Sequence, residues 1–320
     1  LWPGWFGASR AEAPALRAWP SRRLDVACLR LPASICEVEE GFMSGLSRPL
    51  VRSFSALNLM LCMVLAVPGV RASSGPSIGP LVATDGRVPQ APWKLATLPQ
   101  QTLPITRFKG IPLAAGLAPP GLWGDPGKPE WALQIEAEAS YGNLLQTFDD
   151  ALERQQVAGL TLAWSWKVER SNPAIDLASR SGDDTDAKVC VLFDLPLDRV
   201  PLGERLLLQL ARSKTGEALP AATICYTNDV RQATGTRLDN AYSRRVRYLV
   251  LRGAGDDLTQ WKSESRRLAD DFRQLFGDES TQVPAVRGIA VGADADNTKG
   301  TSRALLARLR LEPPSTLQRP

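Results

Sequence analysis

Leu160-Thr161-Leu162-Ala163-Trp164-Ser165-Trp166-Lys167-Val168-Glu169 is the stretch that decides the fold of this 320-residue chain. Leu160, Leu162, Trp164, Trp166 and Val168 share one face; Thr161, Ala163, Ser165, Lys167 and Glu169 share the other. Side chains alternate across a β-strand, so a period of two describes a strand with a tryptophan-rich inner face.

The same pattern recurs outward from it. Trp131, Leu133, Ile135, Ala137 and Ala139 alternate with Ala132, Gln134, Glu136 and Glu138. Residues 143–148 read as the neighbouring strand, and the apolar run 187–195 as a central one. Strands are also expected at 222–227, 246–251, 288–293 and 305–311. Two helices interrupt the series. Leu206, Leu207, Leu210 and Ala211 have helical spacing between Pro201 and Gly216, and Leu268, Phe272, Leu275 and Phe276 form one apolar face ended by Gly277. The predicted architecture is therefore mainly β: a single antiparallel, jelly-roll-like β-sandwich with two short helices, spanning residues 129–313. The Pro/Gly-rich residues 73–128 read as a linker and irregular arm, and 314–320 as a disordered tail.

A secretory signal peptide is expected at residues 43–72. Met43 is followed by Arg48 and Arg52, an apolar run over 54–67, and the small-residue exit Val70-Arg71-Ala72. The run is shorter than the 20 or so apolar residues of a membrane span, so no stable span is expected once the signal is removed. Residues 1–42 read as a non-native upstream stretch or a disordered extension. The protein is expected to be periplasmic or secreted.

Composition then excludes much chemistry. Residues 1–72 hold eight Arg and five acids, leaving 30 basic and 29 acidic residues in the remainder, a net of +1. No nucleic-acid footprint is expected from so balanced a domain. The chain contains no histidine, which removes Ser-His-Asp and Cys-His catalysis and every His-ligated metal. There is no phosphate loop and no dinucleotide fingerprint. Beyond residue 72 only Cys190 and Cys225 remain. In an oxidising compartment they can pair; the expectation is two small buried apolar side chains.

Carboxylates are the chemistry left. The turn Asp294-Ala295-Asp296-Asn297-Thr298 follows a strand and concentrates oxygen ligands of the kind a hard cation takes, so calcium is the candidate cofactor, with Glu136 and Glu138 as further donors. The alternative is an Asx turn that bonds its own backbone. Gly182-Asp183-Asp184 precedes a strand: paired carboxylates suit a His-free glycosidase, and the alternative is a capping turn. Trp164, Trp166 and Trp261 offer a sugar platform or, for the first two, buried core. Lys167 lies on the opposite strand face. Arg266 either lines a site or pairs with Asp270.

The order of these pieces carries a resemblance. Trp164-Ser-Trp166-Lys167-Val168 is followed by Gly182-Asp183-Asp184, Ala222-Thr-Ile-Cys-Tyr226, Trp261 with Glu264-Ser-Arg266, Asp270-Asp271-Phe272 and Asp294-Ala-Asp296-Asn297-Thr298. Over residues 120–312 the chain resembles the bacterial domain-of-unknown-function family numbered 3047. The resemblance implies an exported bacterial β-sandwich and no assigned activity. The functional expectation is a non-catalytic module binding a polysaccharide or cell-envelope component through Asp183, Asp184, Trp166, Lys167, Trp261 or Arg266; the alternative is a carboxylate-based polysaccharide hydrolase.

Overall fold

In a computed structural model of the chain, the described residues are 77–96, 104–113, 130–152, 157–216 and 218–313. The expected signal peptide, the stretch before it and the C-terminal tail lie outside them. The described strands are β1 (Lys94–Ala96), β2 (Arg107–Leu113), β3 (Glu130–Glu138), β4 (Tyr141–Leu152), β5 (Thr161–Arg170), β6 (Thr185–Phe193), β7 (Ala222–Asn228), β8 (Arg237–Asp239), β9 (Val246–Arg252), β10 (Lys262–Arg267), β11 (Val286–Asp294) and β12 (Thr301–Glu312). Two α-helices accompany them, α1 (Leu202–Thr215) and α2 (Leu268–Phe276).

The strands form two sheets. One has the order β1-β4-β11-β6-β7-β9-β8, the other β10-β5-β12-β3-β2. Every ladder is antiparallel except β7–β9, which runs parallel and needs the crossover carrying β8. The sheets close on one core. Leu162, Trp164, Trp166 and Val168 of β5 are all buried, and the Trp164 ring lies 5.3 Å from that of Tyr226 on β7, joining the layers. Along β6 and β7 every residue is buried, as a central strand covered on both faces must be. The β-sandwich with two helices predicted from the alternation is the fold observed.

Two expectations are corrected. Residues 73–128 are not wholly irregular: β1 and β2 lie there and pair with β4 and β3. Cys190 and Cys225 are not separate core thiols. They sit directly opposite each other in the β6–β7 ladder, Cα atoms 4.0 Å apart, and form a disulfide. Helix α1 forms where the leucine spacing predicts it. It buries Leu208 and Ala211 and leaves Leu206, Leu207 and Leu210 exposed. Helix α2 behaves as its spacing requires: Leu268, Phe272, Leu275 and Phe276 are buried, and Phe272 lies 4.9 Å from Phe193 of β6.

Candidate functional site

The sequence-predicted residues separate into three places. At one end of the seven-stranded sheet, Asp183 and Asp184 lead into β6, while Asp294 ends β11 and Asp296 and Asn297 follow it. Antiparallel pairing of β6 with β11 brings the two acidic segments together, with Asp294 opposite Thr185. Asp183, Asp184, Asp186 and Asp294 are no more than 1% exposed, and Asp296 is 7%.

Most of these carboxylates are bonded by neighbours. Asp184 Oδ1 accepts the Asn297 backbone N–H at 3.0 Å and Oδ2 accepts that of Thr298 at 2.7 Å, so Asp184 caps the 294–298 turn. Asp186 accepts from Ser171 Oγ at 2.6 Å, the Asn172 N–H at 2.8 Å and Asn228 Nδ2 at 3.0 Å. Asp294 takes Thr185 Oγ1 on one oxygen and Lys188 Nζ on the other. Asp183 Oδ2 accepts from Asn240 Nδ2 at 2.5 Å. Two oxygens are left over: Asp183 Oδ1 and Asp296 Oδ1 are buried without a hydrogen-bond donor.

Burial in this company favours the neutral acids. Desolvation, with Asp294 beside it, pushes Asp183 up to about 7. Desolvation followed by Asp294 and Asp184 pushes Asp296 up to about 6, and desolvation pushes Asp186 up to about 6. Asp184 is raised by the same burial and by Asp294. Burial, then Asp183, lifts the Tyr248 phenol well above its usual range.

A calcium shell is not what this end provides. Among the described residues no three acidic or thiol side chains converge as a metal site. A lysine ammonium already occupies Asp294, and a second cation there would meet it at close range. The proposed further donors point elsewhere. Glu136 pairs with Arg303 at 2.8 Å and Arg107 at 3.5 Å, and Glu138 pairs with Arg107 at 3.3 Å, on the outer face of the five-stranded sheet.

The second place is the β10 edge of that sheet. Trp166 is core: only 3% exposed, its indole N–H donates to Glu264 at 2.9 Å. Glu264 also takes Arg252 at 2.8 Å. Arg266 pairs with Asp271, not with Asp270 as its spacing suggested, because β10 ends at Arg267 and only the next residue starts the helix. Asp271 in turn accepts the Tyr226 hydroxyl at 2.8 Å. Lys167 remains outside, paired with Glu169 at 3.3 Å and 5.7 Å above the half-buried Trp261 ring.

The third place is a groove of about 310 Å³ beside β3, three strands across the sheet from β10, lined by Ile105, Arg107, Glu136, Glu138 and Ser140. Alternation in β3 puts Glu136 and Glu138 on one face, roughly 6–7 Å apart along the strand. Hydrogen bonding from Arg303 holds the Glu136 carboxyl below the usual carboxylate range. Ile105 is 47% exposed and supplies an apolar contact.

Several residues were not singled out by sequence reasoning. Lys188 carried a signal, since a lysine inside an apolar central run must find a partner. Asn240 carried none: it reaches Asp183 from a loop 57 residues further along the chain. Arg245 and Arg247, also missed, form a second buried ionic cluster. Arg245 is 2% exposed and bonds Glu279 at 2.7 and 2.6 Å, and Arg247 bonds Asp278 at 2.7 Å.

A β-sandwich with a buried acidic end and a small open groove is thus the class of protein defined here. The chain belongs to the family described as a protein of unknown function (DUF3047), whose profile matches residues 126–310. No curated protein matches it. Among solved structures it is similar to the catalytic domain of Humicola grisea Cel12A, at 9% identity and a TM-score of 0.33 over 66% of this chain and 87% of that one. It is similar to the xyloglucanase domain of NopAA from Sinorhizobium fredii, at 7% and 0.34 over 70% and 98%. It is also similar to a family 11 carbohydrate-binding module of Clostridium thermocellum, at 7% and 0.30 over 69% and 87%. Likenesses this loose carry no argument about activity. Among the described residues no helix is long and apolar enough to cross a membrane.

Proposed function

We propose that the chain is an exported, non-catalytic binding module, periplasmic or secreted, whose groove at Arg107, Glu136 and Glu138 takes a polyhydroxylated ligand such as a cell-envelope glycan. The observation that carries this reading is the contrast between two sets of carboxylates. Those shifted toward the neutral acid are buried at the end of the sandwich, where no substrate bond reaches them. Those facing solvent are ion-paired and set beside an exposed apolar side chain. Ionised carboxylates and guanidinium groups are strong, directional partners for sugar hydroxyls, and an aliphatic wall suits the less polar face of a pyranose. Export rests on the basic start, apolar run and small-residue exit of residues 43–72.

Pull-down on cell-wall and exopolysaccharide preparations tests it. Glu138 is 65% exposed in its side chain and Arg107 62%, so Glu138→Ala and Arg107→Ala leave the fold intact and are expected to abolish retention. Retention that survives both but disappears in Trp261→Ala moves the site to the β10 edge and overturns the groove. Absence of retention on every preparation counts against glycan binding altogether.

The hydrolase reading retains one supporting observation: Asp183 is raised to about 7, the state a general acid needs. It requires the acidic end to open to solvent. Release of reducing sugar that is lost in Asp183→Asn would favour it over the binding module.

A further inference from the structure

Helix α1 shows an anomaly that neither the core nor the groove accounts for. Its inner face is anchored by Leu208 and Ala211, with Glu204 turned inward to Arg245 at 3.4 Å. Its outer face carries Leu202, Leu206 and Leu210 at successive four-residue steps, with Leu207 beside them; they are 62, 57, 52 and 45% exposed. Single exposed leucines are ordinary, but four on one helix face form a contiguous apolar patch that calls for a partner.

The charges around the patch choose the partner. Arg199 precedes the helix and is exposed, Arg205 is half-buried on its flank, and Lys214 is exposed in its last turn. Within α1 the sole acidic residue is Glu204, and it faces the other way. A second copy packed antiparallel on this face would set Lys214 of each helix against Arg199 and Arg205 of the other, with the exposed Asp198 the one carboxylate beside those three cations. An anionic lipid surface neutralises the same cations and receives the leucines at the headgroup boundary.

We infer that the outer face of α1 is an interfacial membrane-binding surface, on which Leu202, Leu206 and Leu210 enter an anionic bilayer while Arg199, Arg205 and Lys214 contact its headgroups. The helix lies in the plane of the interface. At 14 residues it is too short to span. The inference is independent of what the groove binds.

Co-sedimentation of the full chain with vesicles tests it, comparing phosphatidylcholine alone with equal parts phosphatidylcholine and phosphatidylglycerol. Binding is expected to the anionic vesicles, to weaken as salt is raised, and to fall at least about tenfold in Leu206→Glu/Leu210→Glu, which removes apolar contact and adds like-charge repulsion. Both positions are exposed, so the far-UV circular dichroism of the variant should match the parent. Should that variant fail to fold, Lys214→Glu leaves the leucines in place and is still expected to weaken anionic-vesicle binding. Equal binding to both vesicle types, absence of binding, or binding indifferent to these variants overturns the inference. So does a dimer, seen by light scattering, that Leu206→Glu/Leu210→Glu dissociates, since the face would then belong to a second copy.

Discussion

Replacing Asp183 by Asn is the sharpest probe of the buried acidic end. In the unfolded chain the carboxyl ionises near 3.8; in the fold, desolvation and Asp294 push it up to about 7. The folded protein therefore holds a proton on Asp183 across a window in which the unfolded chain has lost it. Stability from this group is greatest below pH 4, declines as pH rises through the window, and levels off above pH 7. Each pH step inside the window is worth about 1.4 kcal/mol, so crossing all of it costs about 4 kcal/mol. That figure is an upper bound, because Asp183 is coupled to both Asp294 and Lys188, which act on it in opposite directions. Asparagine fills the same volume, keeps an oxygen for Asn240 Nδ2 and cannot ionise. Urea denaturation of parent and variant at a series of pH values from 4 to 8 isolates the effect, since Asp186 and Asp296 contribute equally to both proteins. Near pH 4 the two should be similar in stability, and by pH 8 the variant should be the more stable by up to about 4 kcal/mol. A difference that is flat with pH, or a variant less stable at pH 8, would show that the ionised carboxylate is well accommodated and refute the reasoning.

Other expectations follow from the same geometry. Lys188→Met leaves Asp294 buried without its cation and should cost about 3–5 kcal/mol in chemical denaturation; Lys188→Met with Asp294→Leu should recover part of that loss, and no recovery would mean that packing dominates. Reduction of the Cys190–Cys225 bridge, which closes a 35-residue separation, should lower stability by about 4 kcal/mol on chain entropy; an unchanged denaturation midpoint under reductant would show the pairing to be absent in solution. Trp164→Ala removes a side chain that is 1% exposed and whose ring lies 5.3 Å from that of Tyr226, and should cost about 3–5 kcal/mol, read as a fall in melting temperature.

What was legible in the sequence follows from where the physics is local. Strand β5 and helix α2 declare themselves because burial of one face imposes a period of two or of 3.6 on consecutive residues. The β-sandwich follows from counting such segments. Strand β10 reads Lys-Ser-Glu-Ser-Arg-Arg, with no apolar residue, and is held by its ladder to β5 rather than by any pattern of its own. Strand β2 contains Pro112 and lies at a sheet edge, where proline is tolerated but the pattern is blurred. The spacing of Leu206, Leu207 and Leu210 named the helix but not the exposed face those leucines take, because periodicity reports an apolar side and not which way it turns. The acidic end was half legible. Asp183, Asp184, Asp294 and Asp296 are visible as types, but their meeting depends on β6 pairing with β11 across more than a hundred residues. The approach of Asn240 depends on the parallel β7–β9 crossover. The pairing of Cys190 with Cys225 is likewise a fact of register, which two isolated apolar runs do not specify.

The two sheets share an arrangement that governs how the chain can be assembled as it leaves the ribosome. Strand β11 lies between β4 and β6, and β12 between β3 and β5. Both inserted strands belong to the last part of the chain, so an N-terminal fragment has a vacant slot in the middle of each layer. Until residues 286–312 emerge, β3, β4, β5 and β6 each present an unpaired backbone edge, and the four flank two gaps a strand wide. Vectorial delivery therefore cannot fold this domain progressively. The nascent chain must be kept from pairing with neighbours until its final strands arrive, and closure is then a single late event involving both sheets together.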